Sequence, residues 1–187
     1  MKRPALAALL AALALPAAAE PETFTIDPNH TFPSWEISHN GISVQRGRFN
    51  KTAGKIVVDT AAKTGSADVM IDVASVDTGH VKLGEHLRSA DFFDVVKFPA
   101  LSFKGTTFTF DGDKVKSVAG ELTLLGVAKP VTLNAVTYNC AQPPNKKKVC
   151  GGDFLAVIKR SDWGMTRSLA SASDEVTLHI SIEALKD

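Results

Sequence analysis

The sequence predicts an all-β fold, an antiparallel eight-stranded β-barrel with one short helix over its mouth. Most of the chain consists of short runs in which apolar and polar residues alternate between turn-forming residues. That pattern is typical of antiparallel sheets that bury one face. The run 68–73 shows it most clearly, because β-branched residues alternate there with Asp68, Met70 and Asp72. Eight or nine such runs in a chain of 187 residues fit a small closed barrel that can hold a ligand.

The predicted strands follow one another with short turns between them. They are expected near residues 34–38, 42–50, 54–58, 68–73, 101–110, 118–124, 131–140, 154–159 and 176–183. In the run 101–110, Phe108 and Phe110 have the opposite parity to Phe103. A bulge or bend at Gly105-Thr106 would keep all three rings on one side of the sheet.

One stretch departs from the strand pattern and predicts a short helix at about residues 80–89. Two leucines four residues apart share one helical face there, and Asp77 or Thr78 is a plausible N-cap. The next stretch, Asp91–Asp94, carries two phenylalanines where a turn should be polar. Because these rings must pack against something, we expect the helix and turn to cover or line the mouth of the barrel. Their movement could then gate ligand entry.

Residues 1–19 have the organisation of a secretory signal peptide. Two basic residues come first, an apolar run covers residues 5–15, and the small residues Ala17–Ala19 form a cleavage site. The apolar run is too short to span a bilayer comfortably, although a retained anchor is the alternative. The sequence therefore predicts export to the periplasm and a mature domain of residues 20–187.

The charge of the mature chain is nearly balanced. Removal of Lys2 and Arg3 takes the basic side chains from 21 to 19 against 20 acidic ones, a formal net charge of −1. A chain of this charge gives no electrostatic reason to expect nucleic-acid binding. It also argues against strong attraction to an anionic membrane surface.

The two cysteines, Cys140 and Cys150, both lie in the exported part of the chain. An even pair in an oxidising compartment predicts one disulfide. The nine residues between them include two prolines and Lys146–Lys148, so the bridge would pin the base of a solvated loop. A reactive or metal-binding pair is the alternative, but no third ligand lies nearby in the sequence.

Motifs for catalysis are not apparent. The five histidines belong to different elements, and the sequence has no HExxH, GxSxG or P-loop motif. With both cysteines paired, no obvious nucleophile remains, so we predict no enzyme activity, no metal site and no cofactor. One alternative is an enzyme that acts on a small amphiphile, with His30 or His86 as base. Another is a filled-core module that binds partners through its surface, with Lys146–Lys148 as the candidate contact.

Arginines and phenylalanines each allow two interpretations. Arg46, Arg48 and Arg160 either form salt bridges with nearby aspartates or hold a polar or anionic ligand head at the cavity mouth. The ten phenylalanines either fill the barrel or line a cavity. An eight-stranded barrel is at the size where both outcomes occur.

Several sequence blocks, in a fixed order, carry a resemblance to a known family. They are Ile26–Thr31, Gly41–Val44 with Gly47–Phe49, His86–Ser89 with Asp91–Asp94, Lys97–Pro99 with Phe103, Gly120–Leu124 with Gly126-Val127 and Lys129–Val131, and Arg160–Gly164. Together they resemble the YceI-like family of exported lipid-binding proteins over nearly all of the mature chain. The resemblance implies a lipocalin-like barrel with a long apolar tunnel, a bound polyprenyl phosphate or quinone-type lipid, a periplasmic location and often a homodimer. The cysteine-bridged insert is not a feature of the family core.

On this basis we expect non-enzymatic binding, transport or storage of an isoprenoid lipid. The residues expected to line the tunnel are Phe49, Leu87, Phe92, Phe93, Phe103, Phe108 and Trp163. The residues expected at the lipid head group are His30, Arg88 and Arg160. A second copy of the chain and a transiently contacted membrane are further candidate partners.

Overall fold

The computed structural model describes residues 20–144 and 146–187 and consists mainly of β-strands. The predicted signal peptide, residues 1–19, lies outside the described residues. The strands are β1 (Glu22–Ile26), β2 (Phe32–His39), β3 (Ser43–Phe49), β4 (Thr52–Asp59), β5 (Thr64–Asp72), β6 (Val76–Asp77), β7 (Ala100–Asp111), β8 (Lys114–Leu124), β9 (Val127–Ala141), β10 (Val149–Lys159) and β11 (Ala172–Lys186). One α-helix, α1 (Val81–Arg88), and two short 3-10 helices, Val73–Ser75 and Arg160–Trp163, complete the described part.

An antiparallel sheet closes into a barrel because β1 pairs with β4 on one side and with β11 on the other. The ring runs β1-β4-β5-β7-β8-β9-β10-β11 and returns to β1, which confirms the predicted eight-stranded barrel. Strands β2, β3 and β6 extend this ring at one end, where β2 continues along β11, β3 pairs with β2, and β6 pairs with β3. Three long passes of the chain are therefore each broken into two strands. The sequence pattern predicted the break between β3 and β4, but it did not predict the strands β1 and β6.

Polar contacts fix the bends at which these three passes are broken. Between β1 and β2, the Thr31 hydroxyl donates to the Glu183 carbonyl and accepts from the Glu183 amide, both at 3.1 Å. Between β3 and β4, the Asn50 amide donates to the Ser75 hydroxyl at 3.1 Å. Between β5 and β6, the Asp72 carboxylate caps the first 3-10 helix. Each bend thus satisfies backbone groups that leave the strand ladder, as buried backbone requires.

The predicted bulge in β7 is confirmed. The pairing of β7 with β8 shifts register between Gly105 and Thr107, and both Phe103 and Phe108 then line the barrel interior. The paired position Gly120 has no room for a side chain, because a Cβ there would lie 2.2 Å from the carbonyl oxygen of Lys104. The glycine at this position therefore permits the close approach of the two strands at the bulge.

The predicted helix is confirmed, but both predicted N-caps are wrong. The ring nitrogen Nδ1 of His80 accepts from the Leu83 amide at 3.2 Å and caps α1. Asp77 belongs to β6, where its carboxylate accepts from the Gly79 amide at 2.8 Å, so it turns the chain before the helix starts. In the described part of the chain, no helix is long and apolar enough to cross a membrane.

The two ends of the barrel differ in their connections. At the end that we call the mouth end, the connections are residues 40–42, 78–99, 125–126 and 160–171. At the opposite end, which we call the far end, they are residues 60–63, 112–113 and 142–148. At the mouth end β6 pairs with β3 alone, and α1 and the loop 89–99 join β6 to β7 across the opening.

At the far end, Cys140 and Cys150 form the predicted disulfide. They are opposite each other in the β9–β10 ladder, at the base of the connection 142–148. The bridge therefore holds the two strands together where the longest connection at this end leaves the sheet.

Replacement of both cysteines by serine should lower the free energy of unfolding by about 2–3 kcal/mol, because the unfolded chain regains the entropy of a closed loop. Urea denaturation of the oxidised protein and of C140S/C150S measures the difference. Reductant should destabilise the wild type by a similar amount and leave the variant unchanged. Equal stability of the two proteins under oxidising conditions would contradict the prediction.

Glu22 joins three segments at the far end. Its carboxylate accepts from Lys186 Nζ at 2.8 Å and also from Lys148 Nζ. These hydrogen bonds, chiefly the one from Lys148, lower the pKa of Glu22 below its ordinary value of 4.5. The carboxylate thus ties the start of β1 to the end of β11 and to the disulfide-bridged connection.

Glu22→Gln should lower the free energy of unfolding by about 1 kcal/mol at pH 7, because it removes the charge from two ion pairs. Since the folded-state pKa of Glu22 lies below 4.5, its contribution is complete above pH 4.5 and disappears as the pH falls through the lowered pKa. Urea unfolding at pH 7 and near pH 3 should therefore show a difference between wild type and variant that shrinks with acid. A difference that is constant with pH would contradict this account.

Candidate ligand-binding cavity

Two apolar cavities occupy the interior of the barrel. The inner cavity, towards the far end, has a volume of about 110 Å³. Its walls include Phe24, Ile56, Val69, Phe103, Phe108 and Phe154. The outer cavity, towards the mouth end, has a volume of about 360 Å³. Its walls include Trp35, Phe49, Leu83, Leu87, Phe92 and Phe93.

The two cavities lie end to end. Five residues belong to the walls of both, and they are Pro33, Ile71, Leu122, Leu178 and Ile180. We call this shared ring of apolar side chains the waist. The two apolar spaces therefore adjoin at the waist, and an extended chain that passed it would reach from the mouth into the depth of the barrel.

Polar side chains are distributed unequally between the two cavities. The only polar side chains that the described residues contribute to the inner-cavity walls are the hydroxyl groups of Thr31, Thr52 and Tyr138. The outer cavity includes His86, Arg160 and a few uncharged polar groups among its walls. Because apolar cavities stay dry and accept apolar ligands, this distribution suits a molecule with an apolar tail inside and a polar head near the mouth.

Aromatic contacts build the wall of the outer cavity beneath α1. The rings of Phe49 and Phe93 meet edge to face with centroids 5.5 Å apart, and those of His86 and Phe92 at 4.9 Å. The backbone fixes the turn, since the Phe93 amide donates to the Leu87 carbonyl at 3.0 Å. The two phenylalanines of this turn therefore stand on the cavity wall, as their sequence position suggested.

Trp35 also lies on the wall of the outer cavity, and the position of its ring is possible because a glycine faces it. Its ring lies across Gly47 of the paired strand, where a Cβ would come within 2.4 Å of the indole. The indole nitrogen is buried and has no hydrogen-bond partner among the described residues. Gly47 thus makes room for an aromatic wall that alternation alone would not indicate.

Arg160 is a buried charge on the same wall. Only 3% of its surface is exposed, and its guanidinium donates to the carbonyl oxygens of Met165, Arg167, Ala172 and Ser173 at 2.7–3.0 Å. In the described part of the chain no carboxylate lies within ion-pair distance of it, so the salt-bridge interpretation does not apply to Arg160. Burial lowers the pKa of the guanidinium below its ordinary value.

The other two arginines are engaged outside the cavities. Arg46 forms an ion pair at 3.2 Å, but its partner is Glu36 of the neighbouring strand and not one of the predicted aspartates. Arg48 lies over the ring of Phe32, 4.7 Å from its centroid. Neither side chain lies among the walls of the two cavities.

Three residues that the sequence placed at the ligand lie elsewhere. Trp163 is buried in the core and donates its indole N–H to the Leu122 carbonyl at 3.0 Å, without forming part of either cavity wall. Arg88 donates to the Val76 carbonyl at 3.1 Å and is likewise absent from the walls. His30 is exposed on the outer surface and pairs with Asp27 at 2.8 Å, a contact that raises the pKa of His30.

The remaining predicted residues come together around the cavities. Phe49, Leu87, Phe92, Phe93 and Arg160 are part of the outer cavity, and Phe103 and Phe108 are part of the inner one. The wall residues that the prediction omitted are chiefly aliphatic, and the alternation of β11 was the signal that could have identified them. Leu178 and Ile180 of that strand form part of the waist.

Arg160→Met should lower the free energy of unfolding by at least about 3 kcal/mol, because it leaves four carbonyl groups without their donor in a buried place. Arg46→Met is the matched control, since the exposed pair with Glu36 contributes less than about 1 kcal/mol. Urea denaturation measures both variants. Equal small effects would show that the buried guanidinium does not hold the connection 160–171 in place.

Comparisons with known proteins show the relationships of the chain. The model of the YceI-like domain matches residues 24–184. A UPF0312 protein of Shewanella denitrificans is 36% identical over 190 residues that cover all of both chains. Protein YceI of Salmonella arizonae is 39% identical over 160 residues, which cover 84% of this chain and 82% of that protein.

Solved structures share the fold. The crystal structure of Burkholderia cenocepacia BcnA has a TM-score of 0.71 at 27% identity and covers 85% of this chain and 99% of its own. A polyisoprenoid binding domain from Saccharophagus degradans, implicated in plant cell wall breakdown, has a TM-score of 0.63 at 17% identity. It covers 88% of this chain and 98% of its own, and the likeness concerns the fold alone. With its family match, its relatives and its barrel in agreement, the chain belongs to the YceI-like family.

Proposed function

We propose that this protein is a non-enzymatic carrier or store of an isoprenoid lipid, of the polyprenyl phosphate or quinone type. The observation that carries the proposal is the pair of apolar cavities placed end to end, with charged and ring-nitrogen groups among the walls of the outer one only. Membership of the YceI-like family supports it. The likeness to the polyisoprenoid binding domain of Saccharophagus degradans adds the shared fold.

The energetics of such a ligand decide what the cavity must provide. Burial of an isoprene unit contributes about 4 kcal/mol relative to water, and a chain of about eight units would contribute roughly 30 kcal/mol. This exceeds the practical limit of non-covalent affinity, about 18–21 kcal/mol. Water is therefore the wrong reference state, and the bilayer is the state that competes with the protein. A carrier needs only a dry space comparable with lipid and a few polar contacts for the head.

Arg160 is the head-group contact that the geometry supports best. A guanidinium has five N–H groups, and four of those of Arg160 donate to backbone carbonyls. Asp174 acts on the positive charge of Arg160 from beyond ion-pair distance. One N–H group of this residue of the outer-cavity wall remains without a partner among the described residues. A phosphate oxygen or a quinone carbonyl could accept from it. The apolar tail would then extend past the waist into the inner cavity.

Two observations support a periplasmic location. The disulfide between Cys140 and Cys150 is typical of proteins in an oxidising compartment. The sequence of residues 1–19 has the organisation of a secretory signal. We therefore propose export and action outside the cytoplasm.

A large side chain at the waist should shorten the ligand that the protein retains. In Leu178→Trp the indole would occupy the passage between the two cavities, so a long tail could no longer reach the inner one. Native mass spectrometry of the protein from bacterial periplasm, followed by organic extraction, identifies the retained lipid. We expect a polyisoprenoid lipid with wild type and its loss, or a shorter lipid, with the variant.

Val157→Trp is the matched control, because Val157 is 63% exposed on the outside of the barrel. It should retain the same lipid as wild type. An empty wild-type protein would contradict the proposed function, and turnover of an added lipid would support the alternative of an enzyme. Retention of the same long lipid by Leu178→Trp would show that the ligand does not pass the waist.

A further inference from the structure

Four of the nine exposed large apolar side chains of the described residues lie in the connections at the mouth end of the barrel. Ile42, Val81, Val96 and Leu169 are 86%, 76%, 93% and 42% exposed, and they lie in three of the four connections there. Val96 and Ile42 have the two most exposed large apolar side chains of the described residues. Exposed apolar side chains grouped at one end of a protein are candidates for contact with an apolar partner.

The far end provides an internal comparison. Its connections, 60–63, 112–113 and 142–148, contain no leucine, isoleucine, phenylalanine or methionine, and valine is absent as well. They carry Lys63, Lys146, Lys147 and Lys148 against Asp113. Both ends consist of solvent-facing turns, but only the turns around the outer cavity present apolar tips. The apolar tips are therefore a property of the opening and not of turns in general.

Charge at the mouth end limits the kinds of partner. The four connections contain five basic and four acidic side chains, and one of the basic ones, Arg160, is buried. Four exposed or partly exposed charges of each sign leave no net field to attract a strongly charged surface. The surface that complements apolar tips among balanced charges is an electrically neutral lipid interface, into which such side chains insert by burial of apolar area.

We propose that the mouth end docks on the surface of a zwitterionic lipid bilayer, with Ile42, Val81, Val96 and Leu169 inserted below the head groups. This inference rests on the proposed function, because a bilayer is where an isoprenoid ligand resides when the protein does not hold it. In this orientation the outer cavity opens towards the membrane, and the lysine-rich far end points away from it. A lipid could then pass between bilayer and cavity without crossing water.

Flotation with phosphatidylcholine vesicles tests the docking. Wild type should float with the vesicles, and the bound fraction should change little between low and high salt, since no net charge drives binding. I42S/V96S should weaken vesicle binding by about tenfold or more, because two inserted side chains lose their apolar burial. V136S/V157S is the matched control, with two valines that are 60% and 63% exposed on the outer wall. It should bind vesicles as wild type does.

Native mass spectrometry of the same variants keeps this proposal separate from the proposed function. Retention of the lipid together with no vesicle binding by wild type would overturn the docking and leave the carrier function standing. Equal losses in I42S/V96S and V136S/V157S would overturn it too, because general surface hydrophobicity would then explain binding. Conversion of a dimer to a monomer by I42S/V96S in analytical ultracentrifugation would assign these side chains to a second copy of the chain instead. An empty cavity with intact, mouth-dependent flotation would overturn the carrier function alone.

Discussion

The enclosed interior of this protein depends on the two-sided pairing of a five-residue strand. β1 donates and accepts backbone hydrogen bonds on one edge with β4 and on the other with β11, so the sheet has no free edge at this level. Closure satisfies the backbone of all the ring strands without the help of side chains. The inward side chains are then free to be apolar throughout. The ion pairs of Glu22 at the start of β1 strengthen this closure at the far end.

A barrel closed by eight strands can have either a filled interior or a cavity for a ligand. Large side chains can fill a barrel of this size, whereas medium ones leave room for a ligand. Here the aromatic rings stand along the walls, as Phe49 and Phe93 do with their edge-to-face contact, and aliphatic residues form the waist. At Gly47 the ring of Trp35 occupies the space of the missing side chain, and at Gly120 the backbone of the paired strand does. The cavity thus results from where the large side chains are anchored and not from a shortage of them.

The sequence predicted the parts of this structure that depend on local periodicity. The alternation in β11, the parity change in β7 and the aromatic turn after α1 each led to the observed arrangement. The separation of β3 from β4 was also predicted, but the strands β1 and β6 were not. The bend that separates β1 from β2 depends on contacts between residues far apart in sequence, such as Thr31 with Glu183. The cap of α1 by His80 was missed for a related reason. Asp77 pairs with β3 as part of β6, so it lies before the helix and not at its start.

In the candidate site, too, the sequence predicted the residues whose position follows from strand periodicity. Residues identified by aromatic character lie on the cavity walls when their strand parity points inward, as with Phe103. Charged candidates depended on the path of loops that no periodicity describes. His30 is therefore exposed beside Asp27, whereas Arg160 is buried against four carbonyl groups.

The connections at the mouth end contact one another, and Arg160 holds the connection through which they do so. Its guanidinium shapes the connection 160–171 through carbonyls on both sides of Leu169. The same connection contacts the loop 89–99 through Arg167 and Asp91, 3.7 Å apart. It contacts the β2–β3 hairpin through the Asn40 amide, which donates to the Ser171 carbonyl at 2.7 Å. A ligand head that took up the remaining donor of Arg160 would therefore act on the segment that links the apolar tips. In the proposed binding mode, occupancy of the cavity would thus influence the arrangement of the surface around its opening.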